Sequence, residues 1–564
     1  MPGSIAEDPL AGTICDRVLE NALKDPDKPF AIVLSNGSIE ILTYASLVDQ
    51  ASRYRDWFVE RNVKSGDTIA IISAHGTQIF PAFIGAMLVG AIPSVFPTLS
   101  ARQDPKMFWG THQRVFDRVK PAMLLTDGTN LAAINDHIIG FGDRTFPIAP
   151  LPQTVNAPAR YVTKTQSRST AFLQHSSGTT GLKKGVQLGH SSVLAQVSSY
   201  ARSLEITGED VVASWLPLYH DMGLVACFML PCVLGLTTVY LNPFEWVLRP
   251  WALLDAIERY RATLAWMPNF AFQHIVRTAP RGRTWDLSSL RALVNCSEPC
   301  KASTFETFFD RFRSSGLHVE ALQVCYAMAE NVFAVTQTTL GKPPQVITAK
   351  LQPASAQGAI LPVERPYGGD QNIRYLSCGT PIDGVLVRIV GVDGNELPDA
   401  RIGKIQIAGS SLFSGYHLMG ENQLVENRWH STGDLGFMNG GELFVTGRSD
   451  DVLIVRGINL YAHDLEYAVN EEVAIKAGRA VAFGVFNEAT GSQDLTIVAE
   501  REPGGAIASD MDVVRSIKSK IFAGTGVTVS DVRLVSPGWL IKTTSGKISR
   551  EANAKKYVKE FVNP

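Results

Sequence analysis

The chain has 564 residues, 45% of them hydrophobic and 19% charged, a balance that excludes a disordered, collagen-like or coiled-coil protein. At this length three or more compact units are expected, or one large body with an appendage. Lysine plus arginine total 52 and aspartate plus glutamate 54, so the net charge of −2 carries no global attraction to nucleic acid or an anionic membrane.

The first ten residues, MPGSIAEDPL, lack a basic stretch followed by an apolar one, so no signal peptide is expected. Leu47, Ala51, Tyr54 and Phe58 fall on one face at helical spacing, in a helix that begins near Thr43. The run TIAIIS at 68–73 reads as a buried strand, 78–89 as a helix and 92–96 as a second strand. That order is a βαβ unit, which implies a parallel sheet covered by helices. Pro81, Gly85, Gly90 and Pro93 interrupt the apolar stretch 79–96, and a membrane span needs about 20 uninterrupted residues. The alternation recurs as strand 211–214, helix 224–234, strand 237–241, helix 251–260 and strand 263–267. A large α/β body follows.

Residues 343–375 hold five prolines without periodicity and read as a long inserted loop. Beyond residue 376 the pattern changes to short strands (386–390, 402–408, 441–446) separated by Gly/Asp turns, a β subdomain. After the polar turn GRSDD at 447–451 comes a compact α+β segment: a helix from Asp464, strands 481–485 and 496–500, a helix over 510–522 and a strand over 527–535. The expected division is therefore a large N-terminal domain, 1–449, and a small mobile C-terminal domain, 450–564. The seven cysteines include no CxxC pair, which argues against a disulfide framework or structural zinc. Cys296 and Cys300 lie four apart with no second ligand pair at metal spacing.

The segment HSSGTTGLKKG at 175–185 concentrates glycines, hydroxyls and two lysines. Glycines free backbone N–H groups for an anion, hydroxyls add donors and a lysine adds charge. A flexible surface turn has the same composition. The spacing is not that of the ATPase P-loop, because Lys183 stands where that pattern requires glycine.

HSSGTTGLKKG resembles the signature loop of the adenylate-forming superfamily, which comprises acyl-CoA synthetases, luciferases and peptide-synthetase adenylation domains. WLPLYHDMGL (215–224), YAMAE (326–330), STGDLGF (431–437), GRSDDVLIVRG (447–457) and TSGKISR (544–550) follow in the order of that superfamily's motifs. HDMGL, PNFAF (268–272), WDLSSLRALVNCSEP (285–299), SCG (377–379) and RGINLYAHDLE (456–466) are similar to one branch, the fatty acyl-AMP ligases. The proline-rich stretch 343–375 resembles the insertion that distinguishes this branch from CoA-using relatives.

The resemblance implies ATP-dependent conversion of a carboxylic acid, medium or long chain, to acyl-AMP, then transfer to the phosphopantetheine thiol of an acyl-carrier protein. Magnesium is the implied cofactor and the cytoplasm the implied location, with neither nucleic acid nor stable membrane insertion expected. Attack of a carboxylate on the α-phosphate brings two anions together, so the site must neutralise charge and align the reactants. The resemblance gives the phosphates to Ser176, Ser177, Gly178, Thr179, Thr180, Gly181 and Lys184, and Mg²⁺ to Glu330. It gives the nucleotide also to Ser297, Glu298, Tyr326 and Ala327, and the ribose to Asp434 and Arg448. Lys547 and His220 join Thr179 and Glu330 as catalytic groups, and Asp450 matches the hinge. Asp221, Met222, Asn269, Phe270 and Met328 are implied to line the acyl pocket.

Departures from the family pattern are Lys183 in place of proline and Ala327 where glycine is commoner. Ala327 and Met328 fall beside the expected acyl chain, where larger side chains would shorten the pocket and disfavour a long-chain acid. Asp221 keeps an amino-acid substrate open, and an acyl- or aryl-CoA ligase is the nearest alternative. A silent binding protein on the same scaffold would not need Lys547, Glu330, Asp434 and the loop together.

Overall fold

The computed structural model describes residues 12–73, 75–99, 105–151, 169–176, 184–351, 360–362, 373–417, 429–455, 458–487, 492–503, 509–542 and 548–562. The chain divides into two compact units, one of residues 1–344, 378–386 and 408–430, the other of 345–377, 387–407 and 431–564. The short-strand segments after residue 386 thus cluster largely with the C-terminal α+β segment.

The first unit is built on two sheets. In the seven-stranded sheet, Thr68–Ile72 pairs in parallel with Ile92–Phe96 through the helix Ile79–Leu88, the βαβ unit expected from the sequence. All five residues of each strand are buried, as a sheet covered on both faces requires. The helix packs closely on Tyr44–Glu60: a Cβ on Gly85 would stand 2.5 Å from the Tyr54 Cβ and 2.7 Å from the Ala51 carbonyl. Glycine is what permits that approach.

The nine-stranded sheet contains the parallel run Leu322–Ala327, Ala292–Asn295, Leu264–Met267, Val211–Ser214, Thr237–Leu241. The helix expected over 224–234 is instead an eight-residue π-helix, Met222–Met229, continued by the α-helix Leu230–Leu234. Wide π turns are rare and concentrate at functional sites. Behind the sheet, the Trp266 indole donates to the Tyr200 hydroxyl at 2.8 Å, which donates to Gln337 Oε1 at 3.0 Å, and all three residues are buried. Tyr200→Phe would leave the indole N–H and the amide oxygen without these partners. We expect it to cost about 2 kcal/mol in the denaturation transition of this unit; an unchanged midpoint would contradict that role.

Among the described residues the second unit holds four small sheets. One corrects the expectation of a long inserted loop: Val346–Leu351 pairs antiparallel with both Ile360–Pro362 and Ile373–Leu376. Its Ile347 and Tyr375 pack with Phe437 and Phe444 of the neighbouring four-stranded sheet. The C-terminal part is a three-stranded sheet of Ile475–Asn487, Ser492–Arg501 and Asp531–Val535, covered by the helices Ala462–Asn470 and Asp510–Thr525. The last strand is shorter than the expected 527–535. Among the described residues no helix is long and apolar enough to cross a membrane.

Candidate active site

Four parallel strands of the nine-stranded sheet end in succession at segments that carry chemistry-bearing residues. Val211–Ser214 leads to His220 and Asp221, Leu264–Met267 to Asn269 and Phe270, Ala292–Asn295 to Ser297 and Glu298, and Leu322–Ala327 to Met328 and Glu330. The carboxyl ends of parallel strands are where open α/β sheets bind ligands.

Glu330 stands in a tight turn between Leu322–Ala327 and the antiparallel Ala334–Gln337. Val332, two residues on, has φ 62° and ψ −56°, and the Phe333 N–H donates to the Asn331 carbonyl at 2.6 Å. This is a classic-type γ-turn, uncommon and strained on a β-branched residue. Buried Asn331 holds it by donating to the Ala334 carbonyl at 2.7 Å. Backbone strain retained in this way clusters at functional sites.

The Glu330 carboxylate accepts from the Tyr416 hydroxyl at 3.0 Å, and the Glu330 carbonyl from the Phe413 N–H at 2.9 Å. Burial, and then the negative charge of Glu330, push the Tyr416 phenol well above its ordinary range. The Lys184 ammonium lies 4.9 Å from the centre of the Tyr416 ring. His430, stacked edge-on against Phe413, is held below the ordinary histidine range by burial and then by the charge of Lys184. One tyrosine therefore joins the carboxylate expected to meet the metal and the lysine expected to meet phosphate.

Tyr416 escapes the sequence reading. It belongs to FSGY at 413–416, and it reaches the site because Gly415–Tyr416 pairs antiparallel with Lys184–Gly189. That strand is the second arm of a hairpin with Thr170–Ser176, in which Ser176 faces Lys184 across the register. Between the two arms, Ser177, Gly178, Thr179, Thr180 and Gly181 lie outside the described residues, as does Lys547.

The Asp221 carboxylate accepts from the Met222 N–H at 2.8 Å and so caps the π-helix. Gly223 follows because a Cβ there would stand 2.3 Å from the Pro217 carbonyl. His220 packs its ring against Tyr219, 4.9 Å between centres. Asn269 is buried and accepts from the Asn295 amide at 2.9 Å, whereas Phe270 is exposed and touches the stacked Trp215–Trp246 pair edge-on. Glu298, assigned to the nucleotide by resemblance, accepts the Phe270 N–H at 3.0 Å at the start of the helix Asn269–Thr278. An acidic group suits that positive helix end. Ser297 beside it has left-handed backbone, φ 67°. Tyr326 and Ala327 lie in register with Thr336 and Ala334 at the end of their strand, and Met328 follows as the cap of the Glu330 turn.

The other expected groups stand in the second unit. Asp434 faces Arg448 across an antiparallel pair, and the Arg448 guanidinium donates to the Asp434 carboxylate at 3.2 Å. Asp450 lies within the 3₁₀ turn Ser449–Asp451, which Ser449 ties to the Gly433 carbonyl at 3.0 Å.

A magnesium ion is implied by the family. Among the described residues no cluster of three or more acidic, histidine or cysteine side chains could hold a metal. Glu330 alone nevertheless fits Mg²⁺, which takes one or two carboxylates and completes its shell with water and substrate phosphates.

Comparison with known proteins finds relatives over nearly the whole chain. The chain is 29% identical over 556 residues to the medium-chain-fatty-acid–[acyl-carrier-protein] ligase JamA of Moorena producens, covering 93% of this chain and 91% of that one. It is 31% identical over 529 residues to the 4-hydroxyphenylalkanoate adenylyltransferase of Mycobacterium marinum, covering 87% and 82%. A solved structure from a study of fatty acyl-adenylate ligases of E. coli and L. pneumophila superposes with a TM-score of 0.87 over 99% of both chains, at 24% identity. AMP-binding enzymes as a family are matched over residues 18–417. With most of its length matched, the chain belongs to the AMP-binding enzyme family.

Proposed function

We propose that this adenylate-forming ligase activates a medium- or long-chain fatty acid as acyl-AMP, with release of pyrophosphate, and then loads the acyl group onto the phosphopantetheine thiol of a carrier protein. The observation that carries the reading is the cluster of Glu330, Tyr416 and Lys184 beside the carboxyl ends of the parallel strands. It sets a cation for phosphate next to a carboxylate for a divalent ion. The fatty-acid names of full-length relatives support the substrate class, and JamA's name supports the acceptor. A cytoplasmic location is part of the proposal.

In the first step a carboxylate oxygen bonds to the α-phosphorus as the bond to pyrophosphate breaks. Lys184 and the glycine-rich loop hold the β- and γ-phosphates, and Thr179 and Thr180 donate to them. Magnesium, when bound, would neutralise phosphate charge, and Glu330 would hold it. Tyr416 keeps the Glu330 carboxylate oriented, and Lys547 balances charge on the α-phosphate. Tyr326 and Ala327 border the adenine, and Asp434 accepts from the ribose hydroxyls with Arg448 beside it. His220 stands near the reacting carboxylate; Asp221, Met222, Asn269, Phe270 and Met328 border the acyl chain. In the second step the thiol sulfur bonds to the acyl carbon and AMP leaves, after the C-terminal domain 450–564 turns about Asp450.

Asp434→Asn keeps size but weakens acceptance from the ribose. KM for ATP is expected to rise roughly tenfold with a smaller change in kcat. The melting temperature should hold, because a pair whose arginine is 44% exposed contributes under about 1 kcal/mol. An unchanged KM would remove Asp434 from the nucleotide site. The substrate class is tested by ATP–pyrophosphate exchange over a panel of fatty, aryl and amino acids. Fatty acids of eight or more carbons should give the largest exchange; stronger exchange with an amino acid would favour the reading kept open by Asp221.

A further inference from the structure

The helix Pro243–Leu248 turns one face inward and leaves the other bare. Trp246 is buried, and Glu245 accepts from the Asn36 N–H at 2.9 Å and the Ser35 hydroxyl at 3.2 Å. Phe244, Val247 and Leu248 stand at i, i+3 and i+4 on the opposite face and are 44%, 45% and 74% exposed. The helix Asn269–Thr278 extends that surface. Its Phe270, His274 and Arg277 follow at i, i+4 and i+7, and Phe270 is 44% exposed. Two contacts join the helices: His274 Nε2 donates to the Val247 carbonyl at 3.2 Å, and the Phe270 ring meets Trp246 edge-on.

Apolar side chains scattered singly on a surface are ordinary, whereas four gathered on two adjoining helices mark an interaction surface. Its rim is cationic. Arg249 follows the first helix as its cap and Arg277 lies in the last turn of the second. Both are exposed, and neither forms an ion pair among the described residues. Glu245 and Glu298, the carboxylates of the adjoining segments, are each bonded to a backbone N–H. Phenylalanine and leucine that enter an acyl layer, with arginines at the level of the headgroups, suit a protein that rests on an anionic bilayer. The chain's net charge of −2 makes that attraction local to this face.

We infer that this face docks reversibly on an anionic phospholipid bilayer, where the acid to be activated is taken up. The inference rests on the proposed fatty-acid substrate. A fatty acid partitions into bilayers more strongly with every methylene, so a medium- or long-chain acid is scarce in water and concentrated in the membrane. Phe270 belongs both to this surface and to the proposed border of the acyl chain, so docking sets the pocket beside its supply. A carrier protein delivers its thiol to the acyl carbon at the phosphate end of the site, and it fits this face less well than lipid does.

Flotation of the full-length protein with vesicles of phosphatidylcholine, alone or mixed with phosphatidylglycerol, tests the inference. Wild type should bind the mixed vesicles, bind the neutral ones more weakly, and lose the difference in high salt. Arg249→Gln and Arg277→Gln should each lower the partition coefficient roughly fivefold, and Leu248→Asp should lower it by roughly tenfold. All three should form acyl-AMP from octanoate dissolved in buffer at the wild-type rate, which also shows that they fold. With a long-chain acid supplied in the mixed vesicles, their rates should fall in step with binding. No binding by wild type, or binding that the three substitutions leave unchanged, overturns the inference. Slower acylation of a carrier protein with vesicle binding intact would assign the face to the carrier, and overturns it as well. Substitution-sensitive vesicle binding with no acyl-AMP from any fatty acid would leave the docking face standing and refute the proposed substrate, so the two failures are told apart.

Discussion

Lys547→Ala is expected to slow acyl-AMP formation by roughly 10²–10³-fold, the effect of removing a preorganised group aimed at developing charge. The acid and the α-phosphate are both anions, and the five-coordinate phosphorus concentrates further charge on its oxygens. A positioned ammonium favours that state more than it favours the bound reactants, so the loss should fall on kcat and little on KM. Lys547→Arg keeps the charge but spreads it over a plane, and should recover only part of the rate. Thioester formation from supplied acyl-AMP has no pentavalent phosphorus and should change less than about threefold. Rapid-quench measurement of acyl-AMP, with transfer followed separately, checks both halves. Equal losses in the two steps would mean that Lys547 serves the fold and not the phosphate.

The second large effect is expected at the hinge. Proline fixes φ near −65° and removes an N–H, so Asp450→Pro restricts rotation at the turn Ser449–Asp451. If adenylation and transfer need different poses, freezing one of them should slow transfer by roughly tenfold or more and leave adenylation within about threefold. The same rapid-quench series reads this, since acyl-AMP should accumulate on the enzyme when carrier protein is present. Equal loss of both steps would contradict a two-pose cycle about this residue.

What could be read in advance follows from how each element earns its stability. The strands Ile92–Phe96, Val211–Ser214 and Thr237–Leu241 stand where the apolar runs predict them. Covered on both faces, a parallel strand writes its burial into sequence as an unbroken run. The π-helix Met222–Met229 is buried at every position, so its pattern carries no period that would separate it from an α-helix. The inserted sheet is hidden by its prolines: Pro344 precedes Val346–Leu351 and Pro362 closes Ile360–Pro362, positions at strand margins where the missing N–H is tolerated.

The candidate site divides in the same way. Glu330, Lys184, Asp434 and Arg448 sit in local motifs, and it is the resemblance of those motifs, not the residue types alone, that implies phosphate, metal and ribose. Tyr416 carries no such signal, because its place beside Glu330 depends on a pairing between segments more than 200 residues apart. Glu298 shows the opposite limit: a carboxylate within a motif can serve the start of a neighbouring helix.

The central claim, that acyl-AMP is made here and handed to a carrier protein, is tested most directly by mass spectrometry of the products. The full-length protein, ATP, Mg²⁺ and a fatty acid would be incubated with free CoA or with a phosphopantetheinylated carrier protein. The account predicts acyl-AMP that persists in the presence of CoA and an acylated carrier protein in its place. Acyl-CoA formed at a comparable rate would contradict it and make the chain a CoA ligase.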